Sequence, residues 1–409
     1  MRSNISLTFR VETQNARLSW LLNEFRLVVN KSIRTANSQG IRSRARLSAV
    51  AYAELGREHP ILKQYIPSAL GMALSLLKAH RRSLRRGKVS SLPFVRRPLL
   101  RVVNQAYRLD RSTGRIRIPV RAHEYVELDL PISRWHRTFL DDPSWTIGSL
   151  TVAPGKIVIC VRKQPVPTYI PETALALDTN ENSLDGVAAG CQETKLVTLS
   201  LGGIRRIQAV HFVRRRMLAR KKKGDRRVKR VLLAREGSRE RNRVRQRLNL
   251  VSKRLVVAAK SAKSAIIIEN LTLHGAGGSS RRMNRRLSSW PRREIHRQIE
   301  YKAALAGVPV VKVNPQWTSK TCPVCGARRR DRVGKVFVCL MCDWEMDRQI
   351  NAGLNILKTA LASNEALARA VRFQPGALRH DVVSPLYDLL REGGGAREEP
   401  SGVELSGVV

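Results

Sequence analysis

Four cysteines constrain this chain more than any other feature. Cys322-Pro-Val-Cys325 and Cys339-Leu-Met-Cys342 are two Cys-x-x-Cys pairs separated by an interval close to that of a four-thiolate zinc site. A tetrahedral ion needs two such turns, and Gly326 after the first pair supplies a backbone suited to one. Two redox pairs would leave that glycine and the repeated knuckle unexplained. The second pair runs directly into Asp343-Trp-Glu-Met-Asp347-Arg-Gln-Ile-Asn-Ala-Gly, so an acidic residue opens a helix immediately after the expected metal centre.

Charge sets the class of partner. The chain has 409 residues and a formal net charge of +44, and a surface this basic repels itself unless a polyanion lies against it. Nucleic acid is the expected partner. Of six cysteines, Cys160 and Cys191 lie outside the knuckle in apolar surroundings, which suits a reducing compartment rather than a disulfide framework. The N-terminus lacks the apolar run of a signal peptide and no segment approaches a membrane span, so the expectation is a cytoplasmic protein with no membrane partner.

The first third reads as a strand, helices, then strands. Ile5 to Val11 alternates, after which Asn15 to Thr35 places Leu18, Leu21, Leu22, Phe25, Val28 and Val29 at helical spacing. Further helices are expected over Arg44 to Leu55 and Ser68 to Arg86, the last ending in Arg81, Arg82, Arg85 and Arg86, a row suited to phosphate contact. From Leu92 to Arg162 short alternating runs such as Tyr125-Val-Glu-Leu-Asp-Leu predict a small antiparallel barrel or sheet. If the first strand joins it, the helices are an insertion. Pro165, Pro167 and Pro171 mark a linker.

Beyond the linker the pattern becomes α/β. Ala174-Leu-Ala-Leu-Asp178 and Ala265-Ile-Ile-Ile-Glu269 are buried-strand runs that each end in a carboxylate, with further strands near Asp185 to Ala189 and Leu196 to Ser200. Between them lies a basic helical stretch containing Arg214, Arg215, Arg220, Lys221, Lys222, Arg226 and Arg227, where like charges on neighbouring turns destabilise one another without an anion. A helix over Arg281 to Ala306 carries Arg281 and Arg282, and the strand Val308-Pro-Val-Val-Lys-Val leads to the knuckle. Trp290, Trp317 and Trp344 are candidates to stack on bases, with core packing the better reading for Trp290. His274 with Gly275, Gly277 and Gly278 reads as a mobile lid or a plain linker. Asp178, Glu269 and Asp347 therefore stand at comparable places. Carboxylates converging there can hold two Mg²⁺ ions about 4 Å apart for phosphodiester hydrolysis without a histidine base.

Leu177-Asp-Thr-Asn-Glu-Asn, Ile267-Ile-Glu-Asn-Leu, Thr318-Ser-Lys-Thr-Cys-Pro-Val-Cys-Gly and Asp347-Arg-Gln-Ile-Asn-Ala-Gly-Leu-Asn-Ile, in that order, resemble the TnpB proteins of insertion sequences and their relatives, the compact type V CRISPR effectors. The resemblance spans about 174 to 361, and the N-terminal half matches in layout only. It implies a multidomain α+β and α/β chain: a wedge-type β-barrel (1–11 and 89–165) with a helical recognition insertion (12–88), a linker (166–173), a RuvC-like nuclease domain of RNase H fold (174–320 and 346–362), an inserted zinc ribbon (321–345) and a disordered tail (363–409). It further implies an RNA-guided DNA endonuclease that holds a guide RNA, reads a short motif beside a double-stranded DNA target and cuts with two Mg²⁺ on Asp178, Glu269 and Asp347. One structural Zn²⁺ would sit on Cys322, Cys325, Cys339 and Cys342. One departure stands out: Gln349 occupies a position where the family commonly has an acid. A CRISPR effector of the same mechanism and a nuclease-deficient RNA-guided repressor are the alternatives, followed by an RNA-independent transposase. Monomer and homodimer both stay open.

Overall fold

The computed structural model describes residues 3–13, 15–87, 89, 91–164, 166–221, 224–270, 280–328, 334–378 and 384–385. The side chains of 282 and 283 and the segment 271–279 lie outside that description, so Lys222, Arg282, His274 and the glycines after it carry no structural finding. The chain divides into two units, Met1–Gln164 and Pro165–Val409.

In the first unit β1 (Ser3–Arg10) leads into α1 (Ala16–Ser38), α2 (Arg44–Glu58) and α3 (Ile66–Leu84). Asn15 starts α1 by accepting the Leu18 N–H, and Leu18, Leu21, Leu22, Phe25, Val28 and Val29 form its buried face. Then follow β2 (Leu100–Val102), β3 (Arg108–Leu109), β4 (Arg115–Arg121), β5 (Glu124–Asp129), α4 (Arg134–Leu140), β6 (Thr146–Ala153) and β7 (Lys156–Lys163). β1 pairs antiparallel with β7 along its whole length, so the three helices interrupt one sheet. The expectation of a barrel needs correction: the described strands form an open four-stranded sheet, β1-β7-β6-β2, and a separate three-stranded one, β3-β4-β5. The 3₁₀ turn Asn104–Ala106 lies between β2 and β3, which belong to different sheets.

The second unit is built on a six-stranded sheet. Its elements are β8 (Thr173–Thr179), β9 (Ser183–Ala189), β10 (Thr194–Ser200), α5 (Ile204–Lys221), α6 (Leu233–Ser261), β11 (Ser264–Glu269), α7 (Arg281–Ser289), α8 (Arg292–Ala306), β12 (Val310–Val313), the ribbon strands β13 (Val336–Val338) and β14 (Glu345–Asp347), α9 (Arg348–Ser363), α10 (Glu365–Ala370) and β15 (Ser384–Pro385). Sheet order is β12-β11-β8-β9-β10-β15, with β8 parallel to β11 and antiparallel to β9. α6 and α8 cover one face through Leu248, Leu255, Ile295 and Ile299. α9 covers the other through Ile350, Leu354 and Leu357.

Three expectations change here. The single helix over Arg281 to Ala306 is two, because Pro291 lacks the N–H a continuous helix needs and restricts Trp290 before it. The linker 166–173 is strapped down: the Tyr169 hydroxyl donates to the carbonyls of Ala259 and Ser264, and the Glu172 N–H donates to Lys263 O. Residues 364–378, expected in a disordered tail, are folded, with Leu367, Val371 and Leu378 buried against the α9 side of the core.

α9 approaches the sheet through glycine. A Cβ on Gly353 would lie 2.4 Å from Gly186 Cα and 3.3 Å from Asp185 O. Gly353→Ala is therefore expected to push α9 outward and destabilise the protein by about 1–3 kcal/mol. Gly71→Ala in α3, where a Cβ meets nothing within 4 Å, is expected to be neutral or to stabilise by up to about 1 kcal/mol. Denaturant melts of both variants check this; equal effects would contradict it.

Candidate acidic site and metal centre

Strand register assembles the acidic site. Ile268 pairs with Leu177 in parallel β11 and β8, so Glu269 and Asp178 follow side by side at the two strand ends. Asp178 lies opposite Asp185 across the β8–β9 hairpin, and Asp185 lies opposite Thr198 on β10. The result is one transverse row: Glu269, Asp178, Asp185, Thr198. Ala174, Ala176, Ala265, Ile267, Val187 and Ala189 pack on the α9 side. The alternation of two therefore sends all three acids to that same face.

Each carboxylate has a distinct environment. Glu269 is 5 % exposed and accepts the Thr318 hydroxyl at 2.6 Å. Asp185 is 6 % exposed and accepts from Asn180 Nδ2 at 2.8 Å, Ser183 Oγ at 2.5 Å and Thr198 Oγ1 at 2.5 Å. Asp178 is half-buried between them. Burial, reinforced by the charges of Glu269 and Asp185, pushes its carboxyl up to about 7. Behind the row, on the opposite face, Thr179 Oγ1 meets His296 Nε2 at 2.8 Å, and burial holds that imidazole down at about 4. Three carboxylates whose charges oppose one another in a row are a donor set suited to hard divalent cations.

Sequence reasoning placed Asp178 and Glu269 at strand ends, and the structure brings them together. Asp347 is placed differently. It ends β14, is exposed, and spends Oδ1 as the N-cap of α9, accepting the N–H groups of Gln349 at 2.8 Å and Ile350 at 3.3 Å. Gln349 lies one turn before Gly353 on the helical stripe that meets Asp185 O. Asp185 was missed as a site residue. Its signal was the short Asn180-Glu-Asn-Ser turn, which folds back the hairpin and sets 178 opposite 185.

The four cysteines converge. Their sulfurs all lie within 4.8 Å of one another, with Cys322 to Cys342 at 3.6 Å and Cys325 to Cys339 at 3.5 Å. That is far beyond a disulfide and near the roughly 3.8 Å edge of a tetrahedron with 2.3 Å metal–sulfur bonds. Gly326 takes φ +79°, as the knuckle turn requires. The Ala327 backbone N–H lowers the Cys325 thiol to about 7, whereas burial pushes the Cys322 thiol up to about 12 and the Cys342 thiol upward, so a cation is needed to hold these as thiolates. The cluster can hold a metal ion.

Three tryptophans separate in role. Trp344 is 1 % exposed and donates to Asn351 Oδ1, so it is core and no stacking platform. Trp290 is half-buried and donates to Asn180 O at 3.1 Å. Trp317 is 42 % exposed at φ +69°, with Lys320 and Arg328 over its ring.

The basic residues also divide. Arg81, Arg82 and Arg85 join Arg42 and Lys78 around a cavity of about 520 Å³, and Arg86 is exposed beyond them. Arg214 approaches Glu236 at 4.0 Å and Arg215 pairs with Glu240, so these two are partly neutralised within the protein. Arg220, Lys221, Arg226, Arg227 and Arg281 are exposed.

Comparison with known proteins follows the same division. Residues 293–356 match the Cas12f1-like TNB domain family, and residues 21–119 match the uncharacterized protein MJ0013 family. A TnpB-like protein of Methanocaldococcus jannaschii is 26 % identical over 252 residues, covering 60 % of this chain and 90 % of the relative. The CRISPR-associated endodeoxyribonuclease Cas12f1 of Sulfoacidibacillus thermotolerans is 35 % identical over 102 residues, 24 % of this chain and 23 % of that one. The chain is similar to TnpB proteins. It is related to the compact type V effectors. Its fold is that of the family's solved relatives: the protein of a Cas12f1–sgRNA–target DNA complex aligns with a TM-score of 0.57 at 17 % identity, over 83 % of this chain and 81 % of that one. Among the described residues, no helix is long and apolar enough to cross a membrane.

Asp178 generates a pH prediction with a definite sign. Its folded carboxyl is raised from 3.8 to about 7, so the metal-free fold holds this proton more tightly than the unfolded chain does. That contribution is present below about pH 4 and is lost as pH rises to about 7. Asp178→Asn is expected to melt higher than the parent above about pH 7 in EDTA and to flatten the decline between these limits. Thermal melts across pH would refute this if the two proteins fell in parallel.

Proposed function

We propose that this protein is an RNA-guided DNA endonuclease that binds a guide RNA, reads a short motif beside its DNA target and hydrolyses phosphodiesters at the acidic row. The observation that carries the reading is the juxtaposition of Asp178, Glu269 and Asp185 on three adjacent strands in a chain of net charge +44. The names of its relatives support it: an endodeoxyribonuclease among curated proteins, and a complex with guide RNA and target DNA among solved folds.

Two Mg²⁺ ions bound by such a site supply activation of the attacking water and stabilisation of the leaving oxygen. Asp178 and Glu269 are the proposed ligands, with Asp347 the third. Thr318 fixes the Glu269 carboxylate by donating to Oε1, and Asn180, Ser183 and Thr198 fix the Asp185 carboxylate in place beside Asp178 by donating to it. Asp178 then presents its carboxylate to the cation instead of keeping a proton. The exposed arginines of α5, the turn after it and α7 are proposed contacts to nucleic-acid backbone. Cys322, Cys325, Cys339 and Cys342 are proposed to hold one structural Zn²⁺.

A nuclease-deficient RNA-guided repressor is the second reading, favoured by Gln349 on the stripe toward the row. The deciding experiment is expression with native flanking DNA, recovery and sequencing of the bound RNA, and incubation with a matching duplex and Mg²⁺. Cutting that falls at least about 10³-fold in Asp178→Ala supports the nuclease. Guided binding without cutting supports the repressor. Asp347→Asn keeps a capping oxygen while removing the charge. It is expected to lose cutting without loss of stability, and wild-type cutting would restrict Asp347 to capping.

The purified protein is expected to carry one equivalent of zinc by elemental analysis. Cys339→Ser is expected to lose it and to lower the melting temperature. A protein with full stability and no bound zinc would remove the metal from the ribbon.

A further inference from the structure

Arg292 opens α8 with a guanidinium whose Nε and Nη1 are shielded from water and meet no hydrogen-bond partner. They are the only side-chain atoms in that state among the described residues. Burial holds the group below its ordinary pKa, with Arg293 adding repulsion. An arginine left this way destabilises the free protein, because buried donors lose water without gaining an acceptor. Its side chain stands over the Trp290 ring at 5.1 Å and lines a cavity of about 510 Å³ together with Ser288, Arg293, Glu294 and Arg297. Glu294, the one carboxylate in that wall, is already engaged by Arg297 at 2.7 Å and Gln298 at 2.9 Å. Three guanidiniums against one occupied carboxylate leave the cavity cationic and short of acceptors.

The cavity is fastened to the acidic site. Trp290 Nε1 donates to Asn180 O, and Arg286 pairs with Glu181 at 2.6 Å. Asn180 and Glu181 form the turn that joins Asp178 to Asp185. We propose that this cavity binds a backbone phosphate of the nucleic-acid strand being cut, with Arg292 as a positioning residue that supplies the unpaired donors. Rotation of the flexible side chain toward the cavity gives Nε and Nη1 a bidentate acceptor, as guanidinium and phosphate geometry favours. The strand is thereby held at the hairpin turn while the adjacent phosphodiester lies over the row. This rests on the nuclease reading above.

The test is Arg292→Met in the full chain, with Arg369→Met on α10 as the control. Without nucleic acid, Arg292→Met is expected to melt no lower than the parent, since it removes unpaired donors and keeps the aliphatic stem. In the guide-loaded protein in EDTA, it is expected to bind the target about tenfold more weakly. Single methylphosphonate replacements along the target strand should weaken the parent at one position near the cut and leave Arg292→Met indifferent at that position alone. Unchanged affinity with every methylphosphonate sensitivity retained overturns the proposal, as does a lowered melting temperature accompanied by retained sensitivity. If the parent shows no guided binding, the function reading fails on its own. The cavity is then judged on unguided single-stranded DNA, where its loss lowers the slope of log affinity against log salt by about 0.7 and an unchanged slope overturns the site.

Discussion

The contact between Gly353 and Gly186 is the constraint on which the second unit depends. With no Cβ on either residue, α9 lies against the backbone of the β8–β9 hairpin instead of against its side chains. That closeness lets the two asparagines of α9 do structural work beyond the helix. Asn351 Nδ2 donates to Thr321 O, and Asn355 Nδ2 donates to both Thr318 O and Thr321 O. The loop so held begins with the residue that donates to Glu269 and ends at the first cysteine of the metal cluster. One helix therefore fixes the ribbon, the loop and an acid of the row together. Disturbance of the metal cluster should be felt at Glu269 through this chain of hydrogen bonds.

The acidic row opposes the electrostatics of folding. Three carboxylates on neighbouring strands repel, and strand pairing leaves them no way to separate, because register fixes their spacing. The protein distributes the conflict unequally. Asp185 accepts three hydrogen bonds and Glu269 accepts a hydroxyl, while burial and the charges of its two neighbours push the Asp178 carboxyl up to about 7. Such an arrangement favours a site completed by positive charge. The unpaired guanidinium of Arg292 is the converse: a cation set aside at the same hairpin turn with no anion to meet. Both features cost stability in the isolated chain, and the proposed metal and nucleic-acid ligands would relieve both.

What the sequence made legible follows from the range of the interactions. The cysteine pairs and the apolar strands ending in Asp178 and Glu269 are local patterns, and both lie where spacing predicted. Asp347 was equally local: it was read as the acid that opens a helix, and it caps α9 there. Asp185 was hidden because its place depends on hairpin register, which a short turn sets and no periodicity reveals. The Asn355–Thr318–Glu269 relay joins residues far apart in sequence. The open sheets of the first unit follow from which strands pair, and a run of alternating strands does not reveal that. Pro291 was visible, but the helical pattern on both sides of it masked the break.

Gln349 acquires a physical reading from this geometry. It lies one turn from Gly353, on the stripe of α9 that reaches Asp185 O and Gly186. An acid at this position would bring a fourth negative charge toward Glu269, Asp178 and Asp185, raising the Asp178 carboxyl further and deepening the repulsion. A glutamine leaves the formal charge at three while keeping an acceptor oxygen in the same direction. The first turn of α9 adds its own partial positive charge, which favours anions nearby without adding another carboxylate.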